Sequence, residues 1–199
     1  MAVGKSLVIM LRKVFPRKRS KITMEVLQND LVKALVRSQH LHKAFLPDRA
    51  LAKLRQQLLD VDLDPSLRPL VLDEATKVFA ILLLADNVLA AKYLIGQANL
   101  RDTHLPLLWP GSNVDEPTLI RYVDTEQVLS IKFESHIKRH NFNTHQWAVQ
   151  APIFNRQHLN LHTLCPLPFT WFESHAKGGF SEVFRAKIHE DHLVVAPAK

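Results

Sequence analysis

The chain has 199 residues, of which 47% are hydrophobic and 23% charged, and its formal net charge is +7. This length allows one substantial domain, or a domain and part of a second, and the hydrophobic content is too high for a disordered chain. The longest apolar run, Val78–Ala85, is much shorter than the ~20 residues of a membrane-spanning helix. It predicts a buried helix, and no membrane span is expected.

The excess positive charge lies in an arm at residues 1–21, which contains basic residues and no acidic ones. We expect a flexible, solvated arm that contacts nucleic acid only nonspecifically. Its Pro16–Lys21 segment is typical of nuclear localisation. Its apolar stretch Leu7–Leu11 is shorter than the ~7–15 residues of a secretory signal. The protein is therefore expected to be intracellular, cytoplasmic or nuclear, and not secreted.

Residues 22–145 are expected to form a helical domain, because this region is rich in leucine, alanine, lysine and glutamine. Thr23 is placed to cap a helix over Met24–Ser38, in which apolar residues recur at three- and four-residue spacing. Pro47 and Asp48 begin a second helix with the same stripe.

Further helices are predicted along this region. Asp73 and Glu74 are expected in the first turn of the helix that contains Val78–Leu84, where the helix dipole favours acids. A continuation over Val88–Ile95 is expected to end at Gly96 as a C-cap.

The prolines between residues 106 and 117 predict a loop. Asp124 is expected to begin another helical pattern through Val128 and Ile131, extending to Ile137. From residue 146 the pattern becomes strand-like, including Trp147–Val149 and the alternating pair Leu159 and Leu161.

The segment Phe169–Ile188, FTWFESHAKGGFSEVFRAKI, carries the most informative motif. The glycine-rich loop of a protein kinase follows a G-x-G-x-x-G-x-V pattern between two antiparallel strands. Its small residues let backbone N–H groups approach nucleotide phosphates. The candidate nucleotide-contacting residues here are Gly178, Gly179, Phe180, Ser181 and Val183. Alanine and serine replace two of the three glycines, so a plain Gly-Gly hairpin turn is the alternative.

Several segments together resemble a family of fungal protein-kinase-like proteins, in which a helical region precedes the first strands of the kinase N-lobe. They are Lys77–Leu84, Asp102–Leu107, Trp147–Phe154, Pro166–Phe169, the GGF loop and Ile188–His192 (IHEDH). The resemblance implies that residues 146–199 form a partial kinase N-lobe and that full-length relatives use ATP and Mg²⁺ to phosphorylate protein hydroxyls. It also implies a role for Lys199, which lies near the expected position of the phosphate-holding lysine.

The chain departs from a working kinase, because it contains neither a His-Arg-Asp nor an Asp-Phe-Gly sequence. Pro197 also makes a poor strand setting for Lys199. We therefore expect an N-terminal portion or truncated member of such a protein, without phosphotransfer machinery and without tight cofactor binding.

The predicted fold class is α+β and mainly α, with an antiparallel β segment similar to kinase strands one and two. The alternative function is a non-catalytic helical module that binds a protein partner and carries a decayed kinase remnant. The histidines show no metal-ligand spacing, and the single cysteine, Cys165, allows no intrachain disulfide.

Overall fold

The computed structural model describes residues 22–38, 44–109, 117–123, 126–155, 159–179 and 181–194. The basic arm at residues 1–21, including Pro16–Lys21, lies outside the described residues. Among the described residues the fold is α+β and mainly α, as predicted. One antiparallel hairpin lies between the fourth and fifth α-helices, and a second follows the fifth. None of their helices is both long enough and apolar enough to cross a membrane.

The bounds of the described elements follow the chain. The α-helices are α1 Met24–Ser38, α2 Asp48–Gln57, α3 Arg68–Asp73, α4 Thr76–Leu84 and α5 His136–Gln146. The strands are β1 Thr118–Val123, β2 Glu126–Lys132, β3 Phe169–Lys177 and β4 Glu182–Ile188. Short 3-10 turns lie at Val88–Ala90, Asp102–His104, Trp147–Val149 and Glu190–His192, and a π-helix lies at Lys92–Gln97.

Helix α4 forms the centre of the core, because its residues are buried on every side. It packs against α1, α2, α3 and α5. A helix that is apolar all round is stable in water only when neighbours cover its whole surface. The predicted buried helix at Val78–Ala85 is therefore confirmed, ending one residue earlier at Leu84.

Helices α1 and α2 form as their apolar stripes predict. The hydroxyl of Thr23 accepts a hydrogen bond of 3.4 Å from the Val26 amide, which satisfies one free donor at the start of α1. Leu27 and Leu31 of α1 are buried in the core. The ammonium of Lys53 in α2 donates to Asp30 at 2.7 Å, and this bond lowers the pKa of the Asp30 carboxyl.

The acid at the start of α4 is not one of the predicted pair. Asp73 ends α3 and Glu74 is its C-cap, whereas α4 begins two residues later at Thr76. Asp102 instead comes from a later turn and accepts hydrogen bonds of 3.0 Å from the amides of Lys77 and Val78. An acidic side chain does lie at the start of α4, where the helix dipole favours it, but this side chain comes from a residue distant in sequence.

Gly96 was also wrongly predicted as a helix end. It lies inside the π-helix Lys92–Gln97, where an added Cβ would come within 3.3 Å of the Leu67 side chain. The positive-φ residue after this helix is Asn99, at φ 55°, a left-handed conformation that asparagine tolerates. Close packing, rather than turn geometry, therefore accounts for a small residue at position 96.

The helix predicted from Asp124 is wrong, because this part of the chain forms a β-hairpin. Strands β1 and β2 pair antiparallel, with Leu119 opposite Ile131. Both of these side chains are buried in the core. Val128 and Ile131 fit a helical spacing, but from Ser130 to Phe133 exposed and buried positions alternate as in a strand. The next helix begins at His136, where the Ser135 hydroxyl caps the Lys138 amide.

The chain after residue 146 is less strand-like than predicted. Trp147–Val149 form a 3-10 turn that continues α5 instead of a strand, and Val149 joins the central core. Leu159 and Leu161 lie in irregular structure. Helix α5 thus runs across the predicted division at residues 145 and 146, and that division into domains stays a prediction.

Candidate functional site

The glycine-rich segment forms the turn of a β-hairpin, in agreement with the predicted strands. β3 and β4 pair antiparallel up to Lys177 opposite Glu182. The Gly178 amide donates to the Ser181 carbonyl at 2.7 Å and closes the turn. Phe180 and Lys199 lie outside the described residues. The structure therefore brings Gly178, Gly179, Ser181 and Val183 together at one end of the hairpin.

Neither glycine is required by the geometry of this turn. Both have φ outside the left-handed region. A Cβ added at Gly179 would meet no atom within 4 Å, and one at Gly178 would make ordinary contacts of 3.4 and 3.5 Å with Ser181. The glycines instead leave the turn backbone uncovered on its outer side. That feature suits either a bound phosphate or a simple exposed turn.

The hairpin has two different faces because its side chains alternate. Val183, Arg185 and Lys187 of β4 share a face with Trp171 of β3, and the Lys187 ammonium lies 5.6 Å from the Trp171 ring centroid. Phe172 and Phe184 lie on the other face in an edge-to-face contact of 5.6 Å.

Both faces of the hairpin remain open. Val183 is 55% exposed and Phe184 is 49% exposed, although valine and phenylalanine usually pack against a neighbouring layer. The register shifts between Ser174 and Ala176, so a bulge at His175 increases the local twist just before the turn. The valine face is thus accessible next to the glycine-rich turn.

The segments that carry the kinase resemblance converge below the hairpin, in what we call the junction: Pro152, Phe154, Phe169 and Ile188–Leu193. The Phe154 amide donates to the His192 carbonyl at 2.7 Å, and the His192 Nδ1 lies 3.0 Å from the Pro152 carbonyl oxygen. The rings of Phe154 and Phe169 stack at 6.2 Å.

Helix α2 and the residues before it hold the junction against the helical body. The guanidinium of Arg49 binds Glu190 at 2.9 Å and Asp191 at 3.4 Å. The ring of Phe45 contacts His192 edge to face at 5.1 Å. Sequence reasoning missed both Phe45 and Arg49, because they are about 140 residues from their partners and belong to no motif.

Two other resemblance segments contact each other inside the helical body. The Asp102 carboxylate of the DTHLPL segment caps the helix that begins at Thr76, as described above. Burial raises the pKa of Asp102, against the effect of the two backbone amides that favour its charged form. The Gln146 side chain, which is fully buried, accepts from the Leu107 amide at 2.8 Å and donates to the Leu107 carbonyl at 2.7 Å.

A groove of about 510 Å³ lies between α1, α5 and the loop that precedes β3. Its walls are mainly apolar and include Leu35, Val36, Trp147 and Leu164. His145 also lines this groove, and burial lowers the pKa of its imidazole. Such concave apolar surfaces are typical of binding sites for partner side chains or small molecules.

The histidines do not form a metal site in the part of the chain that the structure describes, where no three potential ligand residues lie together. Cys165 is partly buried in a loop and its thiol donates to the Gln150 carbonyl at 2.8 Å.

Comparison with protein-family models, with curated proteins and with solved structures finds no match for this chain. The kinase-like interpretation consequently depends on the segments quoted above and on the geometry of the hairpin. Among the described residues, the hairpin offers a nucleotide its backbone amides, the Ser181 hydroxyl, the Val183 side chain and the cationic side chains of Arg185 and Lys187 on the same face.

Proposed function

We propose that this chain is a protein-kinase-like protein, or a portion of one, whose hairpin covers the phosphates and base of an adenine nucleotide. The observation that supports the proposal is the hairpin itself: two antiparallel strands, an uncovered turn at Gly178–Ser181, and an exposed Val183 beside it. In protein kinases a glycine-rich loop of this kind lies over the ATP phosphates. The helical body would then position the hairpin through the junction.

The proposed role is that of a roof for the nucleotide, without phosphoryl transfer. Enzymatic phosphoryl transfer depends on positioning and on charges that stabilise the transition state. Here the sequence supplies no catalytic-loop aspartate and no Asp-Phe-Gly aspartate for Mg²⁺. Without a lower lobe or a secure phosphate-holding lysine, we expect a dissociation constant in the millimolar range or weaker, equivalent to about −4 kcal/mol.

The proposal is tested by comparing two valine substitutions in titrations with MgATP followed by NMR. Gly179→Val places its side chain in open space, so it preserves the hairpin but obstructs the approach of phosphates. Ala186→Val adds two methyl groups, one carbon fewer than Gly179→Val, on the face opposite Val183 and serves as the control. We expect Gly179→Val to weaken the response several-fold and Ala186→Val to leave it unchanged. Equal responses from the two variants would refute a roof at this turn.

The groove between α1 and α5 supports a second candidate function, a non-catalytic module that binds a protein partner. Val36 and Leu164 line it and are 62% and 45% exposed, which is unusual for such apolar side chains beside a concave surface. Val36→Glu would abolish partner binding in this case and leave any nucleotide response unchanged. The two functions are therefore separable by single substitutions.

A further inference from the structure

A small cavity lies where the end of α1 and the start of α2 meet the base of the β3–β4 hairpin. It has a volume of about 270 Å³, and its polar lining side chains include Arg37, Arg49, Thr170 and His189. Drug-sized ligands usually occupy ~300–1,000 Å³. The cavity is therefore suited to a small ion or to one chemical group of a larger molecule.

The tautomer of His189 follows from its hydrogen bond to the backbone. Its Nδ1 accepts from the Asp191 amide at 3.3 Å, so the proton of the neutral imidazole must be on Nε2. The alternative partner for Nδ1, the Asp191 carboxylate, is 3.9 Å away, which is too far for a hydrogen bond. Burial lowers the pKa of His189, so the neutral ring is favoured.

With this tautomer, two hydrogen-bond donors face each other. The Nε2 of His189 lies 3.4 Å from Nη2 of Arg49, and a guanidinium has no acceptor. The other nitrogens of Arg49 are used, since Nη1 binds Glu190 at 2.9 Å and Nε lies 3.4 Å from Asp191. The Arg49 side chain is 63% exposed, so water can satisfy these two donors in the free chain, and one anion oxygen can replace that water by accepting from both.

The remaining polar lining supplies further donors. The Arg37 side chain lines this cavity and makes no hydrogen bond or ion pair with another described residue. The Thr170 hydroxyl has a long contact of 3.4 Å with the Lys187 carbonyl and can turn toward a better acceptor. The two carboxylates of Glu190 and Asp191 more than offset the single positive charge of Arg49, and Arg37 brings the group back to neutral. The cavity is therefore expected to select its ligand by hydrogen bonds from these donors and not by a net positive charge.

We propose that this cavity binds a tetrahedral oxyanion of the phosphate type, held by Arg37, Arg49, Thr170 and His189. Arginine donors match phosphate oxygens in geometry as well as in charge. The ligand is either free phosphate or the phosphoryl group of a small phosphorylated molecule. Thr170 and Gly178 stand at opposite ends of β3, roughly 25 Å apart at ~3.3 Å per residue. The site is thus independent of the nucleotide roof proposed above.

The test is a calorimetric titration of the chain with inorganic phosphate, with ionic strength held constant by sodium chloride. Arg37→Gln removes a donor that has no other described partner. Lys53→Gln removes one charge from the neighbouring helix α2, at a residue that does not line the cavity, and is the control. Arg49 is left intact because its ion pairs fix the junction. A parallel titration with a sugar phosphate separates free phosphate from a phosphoryl group as the preferred ligand.

We expect phosphate to bind saturably to the native chain and to the Lys53→Gln variant. The dissociation constant for Arg37→Gln should be at least about tenfold higher, because this variant loses one charged hydrogen bond. Imidazole nitrogen NMR should also show the proton of His189 on Nε2. The proposal is overturned if neither phosphate nor sugar phosphate binds beyond the effect of chloride. It is equally overturned if Arg37→Gln binds as the native chain does, or if the proton is on Nδ1.

Discussion

Single side chains at the start of helices contribute to stability through the backbone donors that they satisfy. Asp102 is the clearest case, because it accepts from two amides of α4 although it lies in another turn. Asp102→Ala leaves both donors without this partner, and we expect a loss of roughly 0.5–2 kcal/mol, the usual range for a helix cap. Urea unfolding at pH 7 measures this loss.

Asp102→Asn is the informative companion variant. It keeps one acceptor oxygen for the start of α4 and removes a carboxylate whose charged form burial disfavours. We expect a smaller loss of stability than for alanine. An asparagine variant less stable than the alanine variant would contradict this description of the cap.

Two partly buried imidazoles predict how stability depends on pH. Burial lowers the pKa of His145 and of His189, so in the folded protein both stay neutral below the pH at which the unfolded chain becomes protonated. The unfolded chain then binds more protons, and stability falls as the pH drops below about 6.5. Above that pH the contribution of both residues is fully present.

The measurement is the urea midpoint at pH 7.5 and at pH 5.5 for the native chain and for His145→Gln/His189→Gln. The double variant should lose less stability between these two pH values than the native chain loses. The same decrease in both proteins would show that other groups cause the pH dependence.

At the scale of elements, the β3–β4 hairpin depends on the junction for its position. A two-stranded hairpin with both faces open is marginal by itself. Its ties to the body are the ion pairs of Arg49 with Glu190 and Asp191 and the ring contacts of Phe45 with His189 and His192. We therefore expect limited proteolysis to remove the basic arm and the C-terminal strands first and to leave a helical fragment. Recovery of a protected fragment spanning residues 146–199 would contradict this order.

The sequence predicted those elements whose pattern is local. Helices α1 and α2 follow from apolar spacing and α4 from a continuous apolar run, and the Gly-Gly pair between two strand-like segments indicates the β3–β4 hairpin. The β1–β2 hairpin was missed because the spacing of Val128 and Ile131 fits a helix equally well. Only pairing across the hairpin, with Ile131 opposite Leu119, decides the structure.

The residues of the candidate site also fall into two groups, those that a local motif indicates and those that only the folded chain reveals. The loop residues Gly178, Gly179, Ser181 and Val183 could be selected from a motif, whereas Arg49 and Phe45 could not. Their role depends on contact with Glu190, Asp191 and His192, which only the folded chain brings near. Histidines at positions 189 and 192 were visible in the sequence as a pair, but the donor that faces His189 was not.

For the molecule as a whole, the proposal predicts no protein kinase activity. A helical body and a nucleotide roof do not supply the base that accepts a hydroxyl proton or the ligands that hold Mg²⁺. Incubation with labelled ATP and generic protein substrates should give no phosphate incorporation above that of a boiled sample. Incorporation that persists through repurification of the chain would refute this prediction.

The most direct test of the proposed function is to map where MgATP contacts the folded chain. Backbone amide resonances should be recorded during a titration that reaches millimolar MgATP, with magnesium phosphate at equal concentration as the comparison. A roof over the nucleotide predicts MgATP-specific shifts at Gly178–Val183, while phosphate alone shifts only resonances near Arg37, Arg49 and His189. MgATP shifts that leave Gly178–Val183 unchanged up to the highest MgATP concentration would contradict the nucleotide role of the hairpin.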